Sequence, residues 1–359
     1  MLSFIRFLAV GFVCLGGLTS CVTEFQPDVI SLPPALVVEG EVTDQPGPYT
    51  IRLTRTADYS IRSLNLLETG AVVVISDNAG NQETLVEQTG GGVYQTVPGR
   101  ANGIRGVAGR RYTLRIQTKS GQRYESSAEV LPAVPPIERV YYEYRNEPNP
   151  TLPQRDQGWD VYIDSKDPDT LGNYYRWTWT HYELLQACQK TFVQRLNRYQ
   201  GISCCSNCWS IDRCYNCISI NSDANVNGQA ISRQLITRVP YTSLSRYYIA
   251  VEQQALSAGA YQFWKSVRQL VSNTGGLFDA APGPMMGNMR CVSDPALQVY
   301  GYFGATGLSS KVIYVDRSAG QGPPLTDLPV EIPFPTNPSC IPCQNNRYQT
   351  SSQPAGWVY

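Results

Sequence analysis

Histidine is almost missing from this sequence: His181 is the only one in 359 residues. Any Ser-His-Asp or Cys-His site would have to be built on it, and paired-histidine zinc motifs do not occur. Net charge is missing as well, since 29 basic residues face 29 acidic ones and charged residues make up 16% of the chain. That balance leaves no electrostatic footprint for nucleic acid and no polybasic patch for anionic lipid. There is no Gly-x-Ser-x-Gly elbow, P-loop or dinucleotide fingerprint. A carboxylate-dependent hydrolase needs no histidine and stays as a remote alternative, although nothing singles out two acids. The apolar run Phe7–Leu18 is too short for a transmembrane helix, which needs ~20 residues.

That short run ends in Leu18-Thr19-Ser20-Cys21 and is preceded by Arg6. An aliphatic residue, two small ones and a cysteine read as a lipoprotein signal, because the peptidase needs an uncrowded, extended chain to cut. Residues 1–20 are then the signal peptide, Cys21 is the lipid anchor, and residues 21–34 are a tether. Acyl chains of the palmitate kind on Cys21 would hold the protein to the outer membrane of a cell envelope, each buried methylene contributing ~0.8 kcal/mol.

The compartment governs the remaining sulfurs. Cys14 leaves with the signal, so the candidates for disulfides are Cys188, Cys204, Cys205, Cys208, Cys214, Cys217, Cys291, Cys340 and Cys343. An oxidising envelope favours disulfides, and an odd number leaves one cysteine unpaired. Cys340 and Cys343 are expected to clamp the tail to the cysteine-rich stretch. Zinc held by Cys205, Cys208, Cys214 and Cys217 is the competing reading, since two Cys-x-x-Cys turns fit a tetrahedral ion. Asp164, Asp167 and Asp169 form an acidic turn that suggests calcium less strongly, because their spacing does not follow an EF-hand loop. No other cofactor is expected.

Period-two alternation predicts strands over Leu36–Thr43 and Tyr49–Arg55, joined by the turn Asp44-Gln45-Pro46-Gly47-Pro48. Further strands follow at 71–75, 111–118 and 122–127, spaced as in an immunoglobulin-like β-sandwich over residues 35–131. The stiff segment Leu131-Pro132-Ala133-Val134-Pro135-Pro136 marks a boundary. A larger β-rich domain, residues 137–318, comes next, with the aromatic strand Asn173–His181 and a Cys-rich insertion (188–227) that interrupts the sheet pattern. Strands near 298–303 and 311–315 close it. One amphipathic helix, 257–273, places Ala260, Phe263, Trp264, Val267, Leu270 and Val271 on one face. It has Ser257 as N-cap and Gly275-Gly276 as its stop, and is expected to pack across the second sheet. Residues 319–359 form a Pro-rich C-terminal strap. The fold class is mainly β.

Several stretches together resemble one family. They are Leu36-Val37-Val38-Glu39-Gly40, Thr43–Tyr49, Asn173-Tyr174-Tyr175-Arg176-Trp177, Gly275–Asp279, Gly287-Asn288, Gly301-Tyr302-Phe303 and the Cys340-x-x-Cys343 end with Trp357. The family is the Bacteroidota outer-membrane lipoproteins catalogued as domain of unknown function 4249. The resemblance implies a surface or periplasmic lipoprotein, often encoded near TonB-dependent transporters, with no established activity. The single acid after the anchor, Glu24, leaves the membrane face open. The expected role is therefore a non-catalytic binding or accessory component with an outer-membrane protein partner, not an enzyme and not a nucleic-acid binder. The alternative is a stand-alone glycan or peptide binder using exposed aromatics such as Trp177 and Trp179.

Overall fold

The computed structural model describes residues 34–56, 66–101, 103–147, 156–215, 217–225, 227–272, 285, 287–324, 330–331 and 340–358. The signal peptide, Cys21, all of the tether but Pro34, the Gly275–Asp279 stretch and residues 325–329 and 332–339 of the strap lie outside them. The molecule is mainly β, with several sheets and, among the described residues, one α-helix, Ala258–Ser272.

Alternation in the sequence becomes alternation of burial. Strand Leu36–Thr43 buries Leu36, Val38 and Val42 and pairs antiparallel with Thr50–Arg55, which buries Ile51 and Leu53. Arg111–Gln117 buries Tyr112, Leu114 and Ile116 while its arginines face outward.

The spine of the molecule is Val299–Val315, one continuous strand of 17 residues where the sequence pattern predicts two short ones. Its first half runs parallel to Leu36–Thr43, with Val299 opposite Leu36 and Thr306 opposite Thr43. Its second half runs antiparallel to Tyr247–Leu256. The glycines that break the apolar pattern sit where other chain passes close by. A Cβ at Gly307 would lie 2.4 Å from the Pro132 carbonyl oxygen, so the stiff 131–136 segment crosses the strand at that residue.

Through this strand an 11-stranded sheet extends from one end of the molecule to the other. Side chains alternate along a strand, so Phe303 and Ala305 share a face with Ile313 and Val315. The first two belong to one core, and the last two belong to or pack against a second. The first core lies against a six-stranded sheet containing Val72–Asp77, Arg111–Gln117 and Arg123–Ser126. The second lies against a three-stranded sheet of Ile137–Glu147, Asp156–Lys166 and Ala230–Pro240.

The outgoing chain changes core between Leu131 and Ile137, but the returning chain crosses back. Met289, Cys291, Val299, Phe303 and Ala305 all belong to the first core, although they fall within the 137–318 segment. The Cys-rich insertion also differs from its expected role. Trp209–Arg213 and Ser219–Ser222 both pair with Tyr174–Leu184, so the insertion extends the sheet instead of interrupting it. Trp209, Ile211 and Ile220 are buried there, a half-buried alternation hidden in sequence by the cysteines around it.

Candidate functional site

The helix lies on the outer face of the long sheet, opposite both cores. Ser257 caps it: its Oγ accepts from the Ala260 amide at 3.1 Å, while its hydroxyl donates to the buried Glu129 carboxylate. Of the apolar stripe only Ala260 is fully buried; Phe263, Trp264, Val267 and Leu270 are half-buried and Val271 is exposed. The stripe packs across the second sheet, as the sequence suggests, over Tyr174–Leu184, Ser219–Ser222, Tyr247–Leu256 and Val299–Val315. Between it and the sheet, reaching to Leu36–Thr43, lies a cavity of about 650 Å³. That volume sits within the ~300–1,000 Å³ range of small-molecule sites.

Phe263, Trp264, Val267 and Leu256 supply apolar wall, and Tyr300 and Tyr302 supply floor. The Phe263 and Tyr302 rings stand 5.0 Å apart, and Tyr261 stacks on Tyr174 at 4.7 Å. The Tyr302 hydroxyl donates to Glu129 at 2.8 Å; burial and then that carboxylate raise its pKa well above the usual phenol value. Glu129 also accepts from Asn288 Nδ2. Asn288 in turn holds Phe303 by both backbone groups, donating to its carbonyl at 2.8 Å and accepting from its amide at 2.9 Å. Gly301 has φ +86, and a Cβ there would lie 1.9 Å from the Val38 carbonyl oxygen; a Cβ at Gly287 would lie 1.4 Å from the Gly301 oxygen. The floor is therefore built on backbone approaching backbone, which only glycine permits.

Polar groups gather at one end. Arg176 projects from Tyr174–Leu184 on the face opposite buried Trp177, and its guanidinium lies 3.7 Å under the Trp264 ring. Nη1 donates only to Gln254 Oε1 at 3.4 Å, and Nε is buried with no acceptor. No carboxylate forms an ion pair with it among the described residues. Burial lowers its pKa, against the more distant charges of Glu41 and Glu252. Glu41 accepts from Thr306 Oγ1 at 2.9 Å. The Glu252 carboxyl is pushed up by burial first and by Glu41 second, and pulled down by Arg213 and Arg176. Such a site is suited to enclosing an apolar body with a polar group at one end.

Residues 22–311 match the family described as Domain of unknown function (DUF4249). The chain belongs to this family. No curated protein matches it. In this DUF4249 chain, stretches far apart in sequence converge on the cavity: Val37 and Glu39 from Leu36–Thr43, Arg176 from Asn173–Trp177, and Gly301-Tyr302, with Asn288 holding the adjoining Phe303 backbone.

The other sequence-derived candidates lie elsewhere. Cys188 pairs with Cys204, Cys205 with Cys340, Cys208 with Cys343 and Cys214 with Cys217, leaving Cys291 buried and free. The four sulfurs of the zinc alternative fall into three separate disulfide-bonded pairs. Two acids of the calcium alternative have protein partners. Asp164 pairs with Arg139, whereas buried Asp167 accepts from the Tyr175 hydroxyl and the Gly228 amide. Among the described residues no three acids, cysteines or histidines gather as a metal site. His181 is buried, stacks on Tyr247 and donates from Nδ1 to the Tyr248 carbonyl at 2.7 Å; burial lowers its pKa. Trp177 is buried with its Nε1 on Gln253, and Trp179 packs against the second core, so neither serves as an exposed platform. Alternation along Tyr174–Leu184 puts Arg176 on the side away from Trp177, but nothing local signals that a helix more than eighty residues later covers that side.

Proposed function

We propose that the protein is an acylated lipoprotein of the outer membrane, anchored through Cys21, that acts as a non-catalytic binding or accessory component beside a TonB-dependent transporter. Its ligand site is the cavity under the helix. The observation that carries this reading is the cavity itself: apolar walls, a floor fixed by glycine contacts, and a few charged groups in the lining, Arg176 among them, the composition of a ligand pocket. The membrane anchor and the partner rest on the sequence and on membership of the family.

Two measurements test it. An apolar fluorescent probe such as anilinonaphthalene sulfonate should bind stoichiometrically to the folded protein, and Val267→Trp, which projects an indole into the cavity, should abolish that binding without lowering the Tm. Retention of full probe binding by the variant would move the ligand site elsewhere. The lipidated protein, solubilised gently from its own membrane, should bring an outer-membrane transporter with it; recovery of the lipoprotein alone would end the accessory role.

A further inference from the structure

Arg176 poses a physical problem that the fold does not solve. A guanidinium drawn even partly out of water is unfavourable unless it is paired and hydrogen-bonded, and Arg176 is half-buried. This one has a single long bond to Gln254, an aromatic ring over one face, and a buried Nε with no acceptor. Stacking on tryptophan attracts the charge through the ring face but supplies no hydrogen-bond acceptor. A second enclosed cation among the described residues is satisfied. Arg317, also enclosed, donates to the Ser245 and Pro240 carbonyls and to the Thr242 and Ser243 hydroxyls. The difference is that Arg176 opens onto a cavity.

We propose that the cavity binds an apolar monocarboxylate, with its carboxylate on the Arg176 guanidinium and its hydrocarbon body between Phe263, Trp264, Val267 and Leu256. This rests on the reading of the cavity as the ligand site. Arginine matches a carboxylate with two parallel N–H donors, which would complete the bonds missing here. The apolar walls give a hydrocarbon body ~25 cal/mol for each Å² removed from water. Glu39 and Glu41 share the lining and disfavour a ligand with a second anionic group.

Three twelve-carbon probes that differ only in the head group test this: dodecanoate, dodecanol and dodecylamine, titrated into the whole protein at pH 7.5, below their micelle concentrations. Binding is read by calorimetry and by tryptophan emission. Dodecanoate is expected to bind at least 10-fold tighter than either of the others. Arg176→Gln should remove that preference and leave dodecanol binding unchanged, and Arg176→Lys should keep part of it. Val267→Trp, which leaves Arg176 in place, should block all three probes. Equal affinity for all three would overturn the carboxylate assignment while the binding role stood. Tightest binding of dodecylamine would assign the polar end to Glu39 and Glu41 and overturn it equally. Failure of every probe to bind the wild-type protein would remove both this inference and the cavity as a ligand site. Thermal melts of each variant show whether a loss of binding is a loss of fold.

Discussion

At the scale of single residues, the outer face of the sheet carries a charge arrangement with a pH signature. Burial raises the Glu252 pKa, so the folded protein holds that proton more tightly than the unfolded chain does. The stability linked to this proton is fully present below the ordinary glutamate value of 4.5 and is lost as pH rises through the raised one. Glu252→Gln should therefore have a higher Tm than wild type at pH 8, with the difference vanishing at pH 4; melts across that range check it. His181 works in the opposite sense. Its folded pKa lies below the ordinary 6.5, so its contribution is intact above 6.5 and falls as pH drops toward the folded value. His181→Gln should flatten the Tm profile between pH 6.5 and pH 5. Burial of His181 was legible from its place on the Tyr175, Trp177 and Trp179 face. The environment of Glu252 was not, because its partners arrive from Leu36–Thr43 and Tyr174–Leu184, distant in sequence.

At the scale of elements, the sequence discloses strands far better than their continuity. The hairpin of Leu36–Thr43 with Thr50–Arg55 follows directly from alternation and a Pro-Gly turn. Val299–Val315 was hidden because Gly304 and Gly307 look like interruptions. Gly307 is instead a place where other chain must come near, at Pro132, and that chain is not adjacent in sequence. Gly301→Ala tests the tightest described contact within this strand. It forces a Cβ onto the Val38 carbonyl at positive φ and should cost on the order of 3 kcal/mol, seen as a shifted denaturation midpoint with an unchanged slope.

The two tail disulfides behave as a ladder. Cys205–Cys340 and Cys208–Cys343 each span 135 residues, so either one alone closes the same large loop. Loop-closure entropy assigns about 5 kcal/mol to the first closure and much less to the second. Replacing one pair with serines should therefore cost under about 2 kcal/mol, and replacing both should cost more than twice that. Equal and additive losses would contradict the ladder.

At the scale of the whole molecule, two cores share one face of one sheet, and the shared strand is also the floor of the cavity. The linker reinforces the join: Gln253 donates to the Pro135 carbonyl and to Ser165 while accepting from Trp177, and the Ile137 amide donates to Ser309. A fragment spanning residues 34–131 would lack Val299–Thr306 and Met289–Cys291. It would expose the Leu36–Thr43 edge, a template for aggregation. That fragment is expected to be insoluble or molten, whereas the whole chain should melt in one cooperative transition by calorimetry; two separate transitions would show independent halves. The boundary proline segment was readable in sequence as a stiff connector. That the chain returns across it was not, since parallel pairing between residue 36 and residue 299 leaves no local trace.

The same long separation has a consequence for biosynthesis. Polypeptide emerges amino end first, so Cys205 and Cys208 appear more than a hundred residues ahead of Cys340 and Cys343. In that interval their nearest neighbours are Cys188, Cys204, Cys214 and Cys217, any of which is a chemically competent but wrong mate. A catalyst that only oxidises would lock such errors in place. Where such errors form, the native pairs require thiol–disulfide exchange that reopens the early cross-links once Cys340 and Cys343 arrive.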